Sequence, residues 1–266
     1  SYPATARWAA RQLKGRSEYA PCKSDLASGG KGSGAGSGGD FSDWNRGTAR
    51  QASAAGHGYD RAGIHRGSNR SVLILPSWSY GQCDSQTEFP GTISLGPQLL
   101  YEVILKVLSG LMQHGARRFI ALNGHGPNTG PIERAALELS RRGASLACLN
   151  WWRYVWDINR DWRGGHAGGQ ETAAILAIRP EDVDVSAYEP ARMRGISTEM
   201  PASGWDNVLY KGVNIPVPRL DVDVTDNGWL GPDPLETATP EWGREMLEAA
   251  AKWAVDFIGA FRKAEF

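Results

Sequence analysis

Short apolar segments alternate with amphipathic segments after residue 71, and this alternation is the strongest constraint on the fold. A brief apolar run that ends at a turn residue is typical of a buried strand, whereas apolar residues spaced three and four apart indicate one face of a helix. Buried strands are predicted at 72–75, 119–122 and 145–149, and helices at 99–111 and from Pro131 to about Gly143. Strands that alternate with helices pair in parallel and are covered on both faces. The sequence therefore predicts an α/β fold with a mainly parallel sheet.

The C-terminal residues predict one further long helix. Thr239 can accept a hydrogen bond at the N-cap, and Pro240 suits the first helical position. Apolar residues then recur at helical spacing as far as Phe261. Because a helix that covers a sheet needs a wide apolar stripe, we expect Trp242 and Trp253 to be core residues.

Residues 1–70 differ in composition from the rest of the chain. Residues 28–39 are almost wholly Gly, Ser and Ala, and residues 46–70 are rich in Gly, Ala, Arg and Ser with almost no aliphatic periodicity. By composition alone this is typical of a linker or tail. We therefore divide the chain into an atypical segment at 1–70 and a single α/β domain at 71–266.

Charge and cysteine content indicate which binding partners are disfavoured and which cellular compartment to expect. The chain has 29 Lys and Arg against 29 Asp and Glu, so no excess of positive charge favours nucleic acid. No apolar run approaches the roughly 18 residues that a membrane span needs. Cys22, Cys83 and Cys148 lie far apart, which indicates free thiols rather than a disulfide framework. We expect a cytoplasmic protein that binds neither nucleic acid nor membranes.

A glycine-rich loop with one imidazole follows the predicted strand at 119–122. Its sequence is Asn123-Gly124-His125-Gly126-Pro127-Asn128. Ligand sites in parallel sheets form beyond the carboxyl ends of the strands, so the strand delivers His125 into a crevice. A loop histidine can also be simply solvated, and the residues alone leave both interpretations open. A phosphate-binding loop is disfavoured because no Lys followed by Ser or Thr completes it.

A second loop, at 165–172, combines an imidazole with a carboxylate at the entry of a short helix. His166 and Glu171 are separated by five positions in a glycine-rich stretch. The two side chains can converge on one metal ion, or act as general base and ligand. Equally, Glu171 can merely complement the positive end of the helix dipole.

An aromatic cluster precedes His166. Its members are Trp151, Trp152, Trp156 and Trp162. Rings at this density suit the wall of a pocket for a flat polar molecule, because they supply stacking area and indole donors. Ordinary packing explains any one of them equally well.

Four motifs, taken in order, resemble the creatininase family of metal-dependent amidohydrolases. They are F-P-G-T-I-S-L at 89–95, N-G-H-G-x-N at 123–128, G-H-A-G-x-x-E-T at 165–172, and D-N-G with G-P-D-P at 226–234. The resemblance covers residues 71 to about 262, and the ordered set is far more specific than any one motif. It implies a three-layer αβα sandwich that is usually assembled into homo-oligomers, such as hexamers.

The resemblance also implies a chemistry and a role for individual residues. The family's two-metal site hydrolyses an amide C–N bond in small, often cyclic substrates, and imidazole and carboxylate ligands suit Zn or Mn. His125 matches a metal ligand, Glu171 a ligand or a carboxylate just behind one, and His166 the base that moves the proton. The positions that contact the substrate match Asn128, Trp152 and Trp162.

Two departures from the family pattern bear on the site. In creatininase itself the metal-binding histidine is followed by Tyr and Glu, whereas this chain has Gly126 and Pro127, which argues against creatinine as the substrate. The family's N-terminal E-x-H pair, followed further on by Asp, is absent from the chain. Those residues supply most of the family's metal site, including the carboxylate that bridges the two ions.

A shift of reading frame accounts for the missing pair. In a shifted frame, each new codon takes the last two bases of one residue's codon and the first base of the next. Read in this way, the possible codons of residues 44–60 can encode G-T-V-E-Q-H-G-K/R-H-L-P-L-G-T-D-T-I. That string contains the E-x-H pair and the later Asp at their expected place before the strand at 72–75. We therefore expect residues 1–70 to be frame-shifted, and the chain as written to be irregular over 28–70 and inactive.

The sequence thus predicts a metal-dependent hydrolase of a C–N bond in a small molecule, with the bond in an amide, a cyclic amide or a formamide. Two divalent ions, Zn or Mn, are the predicted cofactors. The alternative is a non-catalytic pseudoenzyme of the same fold, which binds a small molecule but lacks a complete metal site.

Overall fold

The computed structural model describes residues 72–89, 91–187, 192–228 and 237–265. The expectations about residues 1–70, including the frame shift, lie outside these ranges, and so does the G-P-D-P motif at 231–234. The α-helices and strands of the described ranges are, in chain order, α1 (Gly96–Gln113), β1 (Arg118–Asn123), α2 (Thr129–Arg141), β2 (Ser145–Asn150), α3 (Trp151–Ile158), α4 (Gly169–Ile178), β3 (Asn207–Tyr210), β4 (Val213–Pro216), α5 (Asp221–Val224) and α6 (Pro240–Phe261).

β1 and β2 form a parallel pair joined by α2, which confirms the predicted βαβ unit. Their register runs from Arg118 opposite Ser145 to Asn123 opposite Asn150. A glycine with left-handed backbone follows each neighbouring helix: φ is 93° at Gly115 after α1 and 73° at Gly143 after α2. Glycine adopts this conformation without a Cβ penalty and is a common helix stop. The two glycines therefore fix where the strands begin.

Two apolar clusters pack on opposite faces of the β1–β2 pair. On one face, Phe119 and Leu146 pack with residues of α1 and α2. On the other face, Leu122 and Leu149 pack with residues of α3, α4 and α6. Because alternate residues of a strand point to opposite faces, helices cover both sides of the pair. This confirms the predicted α/β fold with helix, sheet and helix layers.

The apolar run at 72–75 does not form the buried strand that its sequence predicts. It joins no strand ladder in the described ranges, and Leu73 is 47% exposed. An apolar run becomes a sheet strand only beside a partner that satisfies its backbone donors and acceptors, and none of the described strands pairs with it. The prediction of a buried strand here is wrong.

A hairpin that the sequence analysis does not predict lies between α4 and α5. Strands β3 and β4 are antiparallel, and their register runs from Asn207 opposite Pro216 to Tyr210 opposite Val213. Lys211 and Gly212 make the turn, with φ values of 48° and 82°. Two successive residues with positive φ give the tight turn that matches the twist of a hairpin.

The C-terminal helix α6 begins as predicted and packs against α4. Thr239 Oγ1 accepts the N–H of Trp242 at 3.1 Å. The two helices approach so closely that a Cβ on Gly243 would lie 1.8 Å from the Ala173 carbonyl oxygen. Neither α6 nor any other helix in the described ranges is both long and apolar enough to cross a membrane.

The two tryptophans predicted as core residues of α6 differ in burial. Trp242 packs against the cluster on the α3, α4 and α6 side of the sheet, which confirms its prediction. Trp253 is 37% exposed and stacks on Tyr154, with ring centroids 4.6 Å apart. The prediction of a core position is therefore wrong for Trp253, because its ring covers Tyr154 from the solvent side.

Candidate functional site

The carboxyl ends of β1 and β2 meet through two asparagine side chains. Asn123 is buried, and its Nδ2 donates to Asn150 Oδ1 at 2.8 Å. Asn123 Oδ1 accepts the backbone N–H of His125 at 3.2 Å, so the loop after β1 turns back over the strand ends. This pairing places His125 at the edge of the sheet where ligand sites form.

The ring of His125 contacts the segment 81–84, which precedes α1. Its Nε2 lies 2.9 Å from the Gln82 carbonyl oxygen and 3.4 Å from Cys83 Sγ. A carbonyl oxygen only accepts, so Nε2 holds the proton in this contact. Burial lowers the pKa of His125 below its ordinary value. The ring is therefore neutral at neutral pH.

His166 lies in the turn that opens α4, and its two ring nitrogens have different surroundings. Nδ1 is 3.8 Å from Glu171 Oε2, and that oxygen accepts the N–H of Ala167 at 2.8 Å. Ala167 has left-handed backbone, with φ of 52°. Within the described ranges, His166 Nε2 is buried and has no hydrogen-bond partner. Because burial also lowers the pKa of His166, the ring is neutral and can accept a proton.

Two residues that sequence reasoning missed also lie near His166. The Trp205 ring meets the imidazole edge to face, with centroids 4.8 Å apart and planes at 69°. Asp221, the first residue of α5, is 4% exposed; burial raises its pKa, and its charge acts on His166. Neither residue stands in a recognisable motif, because each meets its partner from a distant part of the chain. No local signal could have identified them.

Cys83 is the third residue that the sequence did not single out as part of the site. Cys83 and Cys148 are free thiols, as predicted, while Cys22 lies outside the described ranges. Burial and then the charges of Asp84 and Asp221 raise the pKa of Cys83. Since the neighbouring imidazole nitrogen already holds a proton, it cannot take the thiol proton. The pair therefore lacks the activated thiolate of a cysteine hydrolase.

Asn128, a predicted substrate contact, joins two loops of the protein. Its Oδ1 accepts the N–H of Gln82 at 2.9 Å, and its Nδ2 donates to Asn123 Oδ1 at 3.4 Å. A Cβ on Gly81 would lie only 2.6 Å from Asn128 Oδ1, so glycine permits the close approach. The amide thus holds the segment 81–84 against the His125 loop, and its contact with substrate stays a prediction.

The two predicted substrate tryptophans lie in different surroundings. Trp152 is half-buried, and a Cβ on Gly126 would lie 3.9 Å from its Cζ2, so its ring borders the His125 loop. Trp162 is 7% exposed and packs in the core cluster beneath α6. Of the two, Trp152 is better placed to contact a molecule beside His125. The substrate role of both stays a prediction.

The predicted two-metal centre is not assembled by the described residues. In the four described ranges, no group of three or more His, Cys, Asp or Glu side chains is arranged to hold a metal ion. His125 lies with Cys83, whereas Glu171 lies with Ala167 and His166. His125 and Glu171 therefore do not form a complete centre with other described residues, and the remaining predicted ligands are expected before residue 71.

Comparison with known proteins agrees with the resemblance seen in the motifs. The sequence profile of the creatininase family, described as creatinine amidohydrolase, matches residues 48–258. That range includes both histidine loops, and it begins within the segment that composition sets apart.

Two curated relatives match shorter parts of the chain. Creatinine amidohydrolase of Pseudomonas putida is 31% identical over 142 residues, which are 43% of this chain and 52% of that protein. The mycofactocin precursor peptide peptidase of Mycobacterium tuberculosis is 28% identical over 177 residues, 66% of this chain and 61% of that protein. The chain thus matches just over half of the length of these relatives.

A solved structure shares the fold. The crystal structure of creatinine amidohydrolase superposes with a TM-score of 0.54 and 22% identity, over 83% of this chain and 82% of that one. At this identity the likeness shows the fold alone. Together with the profile match, which covers most of the chain, it leads to one conclusion: the chain belongs to the creatininase family.

Proposed function

We propose that the protein hydrolyses a C–N bond in a small molecule, with the bond in an amide, a cyclic amide or a formamide. The observation that supports this most directly is the buried, unpartnered Nε2 of His166 within the described ranges. A neutral imidazole with one free nitrogen is suited to accept a proton from water. Family membership and the names of the two relatives, an amidohydrolase and a peptidase, support the same bond type.

His166 acts in this proposal as the group that moves a proton. The Glu171 carboxylate beside Nδ1 favours the tautomer with the proton on Nδ1, so Nε2 keeps its lone pair. Nε2 takes a proton from the attacking water while the water oxygen bonds to the carbonyl carbon. It then gives that proton to the leaving nitrogen as the C–N bond breaks. Trp205 lies against the His166 ring and Trp152 borders the His125 loop, and in this proposal the two rings limit the access of bulk water.

Metal dependence and assembly are further parts of the proposal. We expect two divalent ions, Zn or Mn, with His125 and Glu171 among their ligands and the others supplied by the frame-repaired segment before residue 71.

We also expect a homo-oligomer, such as a hexamer. Exposed apolar side chains on α1, Leu99 at 48% and Val107 at 46%, support an interface there. Light scattering of the purified protein measures the subunit number.

A second candidate is a non-catalytic small-molecule-binding pseudoenzyme. The observation in its favour is that no three-donor metal group exists in the described ranges. In that case the crevice would bind a small amide without turnover.

The test is an assay of simple amides, cyclic amides and formamides with the 266-residue chain and with the frame-repaired chain. We expect the frame-repaired chain to release amine, a chelator to stop release, and His166→Gln to abolish it. His114→Gln is the matched control, since His114 is exposed at the end of α1. Binding of an amide without release by the repaired chain would favour the pseudoenzyme, and release unaffected by His166→Gln would refute the proposed role.

A further inference from the structure

We propose that Asn227 is a site of spontaneous deamidation, in which its side-chain amide is converted to a carboxylate. The chain contains two Asn-Gly dipeptides, Asn123-Gly124 and Asn227-Gly228. Asparagine deamidates fastest when glycine follows it, because no Cβ hinders attack of the next backbone nitrogen on the side chain. The surroundings of the two dipeptides differ, and they favour reaction at the second. The inference requires neither a metal ion nor turnover, so it is independent of the proposed function.

The reaction replaces one C–N bond by another and then hydrolyses the product. The Gly228 nitrogen loses its proton to water and bonds to Cγ of Asn227. The Cγ–Nδ2 bond breaks, and Nδ2 takes up a proton and leaves as ammonia. Water then opens the five-membered succinimide at either of its two carbonyl groups, which gives aspartate or isoaspartate at position 227. Water is thus the one co-reactant that the reaction needs.

Hydrogen bonds on both sides of its amide protect Asn123 from this reaction. Its Nδ2 donates to Asn150 Oδ1 at 2.8 Å and to Thr129 Oγ1 at 3.3 Å. Its Oδ1 accepts the backbone N–H of His125 at 3.2 Å and Nδ2 of Asn128 at 3.4 Å. Asn123 is 3% exposed, so water cannot replace these bonds when the amide rotates. Attack on this side chain therefore requires local opening of the structure.

Asn227 is exposed, in the segment that follows α5. An exposed amide exchanges its hydrogen bonds with water as it rotates, so rotation towards the Gly228 nitrogen costs little. The hydroxyl of the buried Thr225 donates to Asn227 Oδ1 at 3.3 Å. A donor at this oxygen stabilises the negative charge that develops there during the attack. Exposure and this hydrogen bond thus both favour reaction at Asn227.

The backbone conformation favours glycine at position 228. Gly228 has φ of 82°, in the left-handed region that residues with a Cβ rarely adopt. Another residue at this position would be strained, whereas glycine is not. The turn after α5 therefore retains the residue that makes its neighbour most prone to deamidation.

Deamidation would place a second negative charge at a contact between two parts of the chain. Asp226 Oδ1 accepts the backbone N–H of Arg192 at 3.1 Å, and the Val224 carbonyl oxygen accepts that of Arg194 at 2.8 Å. A carboxylate at position 227 repels its neighbour Asp226, and isoaspartate also lengthens the backbone by one methylene. Each event lowers the formal net charge of the chain, which is 0, by one unit.

The test compares the two dipeptides within one protein. The 266-residue chain and the frame-repaired chain are incubated at mildly alkaline pH in water enriched in heavy oxygen, which labels carboxylates formed during the incubation. Trypsin then places Asn123 in the peptide 119–134 and Asn227 in the peptide 220–244, and mass spectrometry measures the labelled product in each. We expect Asn227 to react more than about tenfold faster than Asn123, because several buried hydrogen bonds must break at Asn123.

An unfolded control and two variants decide the outcome. In urea the two dipeptides should react at similar rates, because the folded structure no longer separates them. Asn227→Gln should remove the label from 220–244 and the acidic band on isoelectric focusing. Asn214→Gln is the matched control, since Asn214 is also exposed but is followed by Ile215, and it should leave both signals unchanged.

Equal rates at the two dipeptides in both folded chains, faster reaction at Asn123, or an acidic band that survives Asn227→Gln would overturn the inference. Deamidation of Asn227 at the expected relative rate, in a repaired chain that hydrolyses no added amide, would instead count against the proposed function alone.

Discussion

His125 and His166 each lie in a glycine-containing loop that leads into a helix, yet their surroundings differ. The Nε2 atom of His125 contacts a carbonyl oxygen and a thiol. That of His166 is buried with no partner in the described ranges, while its Nδ1 lies beside a carboxylate. Burial lowers the pKa of both. Loop sequence therefore locates each histidine, whereas the surrounding side chains distinguish the two roles that we propose, ion binding for His125 and proton transfer for His166.

The largest expected effect comes from removing the proton-transfer group. His166→Ala in the frame-repaired chain should lower turnover by about 10²- to 10⁴-fold, the usual contribution of a positioned acid or base. Metal content, measured by mass spectrometry of the purified protein, should stay nearly unchanged because His166 is not a proposed ligand. Metal loss in proportion to activity would show that the two histidines have the same role.

His125→Ala should give the opposite pattern in the same frame-repaired chain. Metal occupancy should fall, because the neighbouring Gly126 and Pro127 carry no donor side chain that could replace the imidazole. The measurement is metal stoichiometry after dialysis, alongside circular dichroism to confirm that the variant is folded. An unchanged stoichiometry would remove His125 from the metal site.

The helix that carries Glu171 depends on its contact with α6. Gly243→Ala should destabilise the fold by about 1 to 3 kcal/mol, the usual cost of overpacking, because the new Cβ would clash with the Ala173 carbonyl. Urea unfolding measures the loss. Gly259→Ala on the same helix is the control, since nothing lies within 4 Å of its Cβ position. Equal stability of the two variants would mean that α4 and α6 do not pack this closely.

Glu171→Gln tests what orients His166. The amide can still accept the N–H of Ala167, but the negative charge beside Nδ1 is lost. We expect turnover to fall about tenfold, equivalent to about 1.4 kcal/mol, with little change in unfolding free energy. Turnover equal to the unmodified protein would show that the carboxylate does not select the tautomer. A large loss of bound metal would instead support a direct ligand role.

The smallest expected effect concerns the buried carboxyl of Asp221. Burial raises its pKa, so its contribution to stability is present at acid pH and is lost as pH rises through the folded-state pKa. Asp221→Asn removes this titration. The stability of the variant relative to the unmodified chain should therefore increase from about pH 4 towards pH 7 in urea unfolding. A constant difference across that range would contradict the burial of this charge.

The local sequence pattern was sufficient to predict much of the fold. The Thr239 cap and the stop at Gly143 depend on short-range chemistry, so α6 and the βαβ unit follow from sequence. The run at 72–75 does not follow the prediction, because a strand needs a paired neighbour and none of the strands in the described ranges pairs with this run. The same limit applies to the site. His166 and Glu171 are close in sequence, whereas Cys83 meets His125 across 42 positions and gives no local sign.

The left-handed backbone of Ala167 has a consequence for engineering a more durable protein. A residue with a Cβ in this conformation gives up roughly 1 kcal/mol or more relative to glycine, and such costs persist where the surrounding structure imposes them. Ala167 pays this cost directly after His166, in the peptide whose N–H holds Glu171. If His166 transfers the proton as we propose, thermal stability and the geometry of the site compete at this one residue, and selection for thermal stability alone would favour variants that relax the turn before α4.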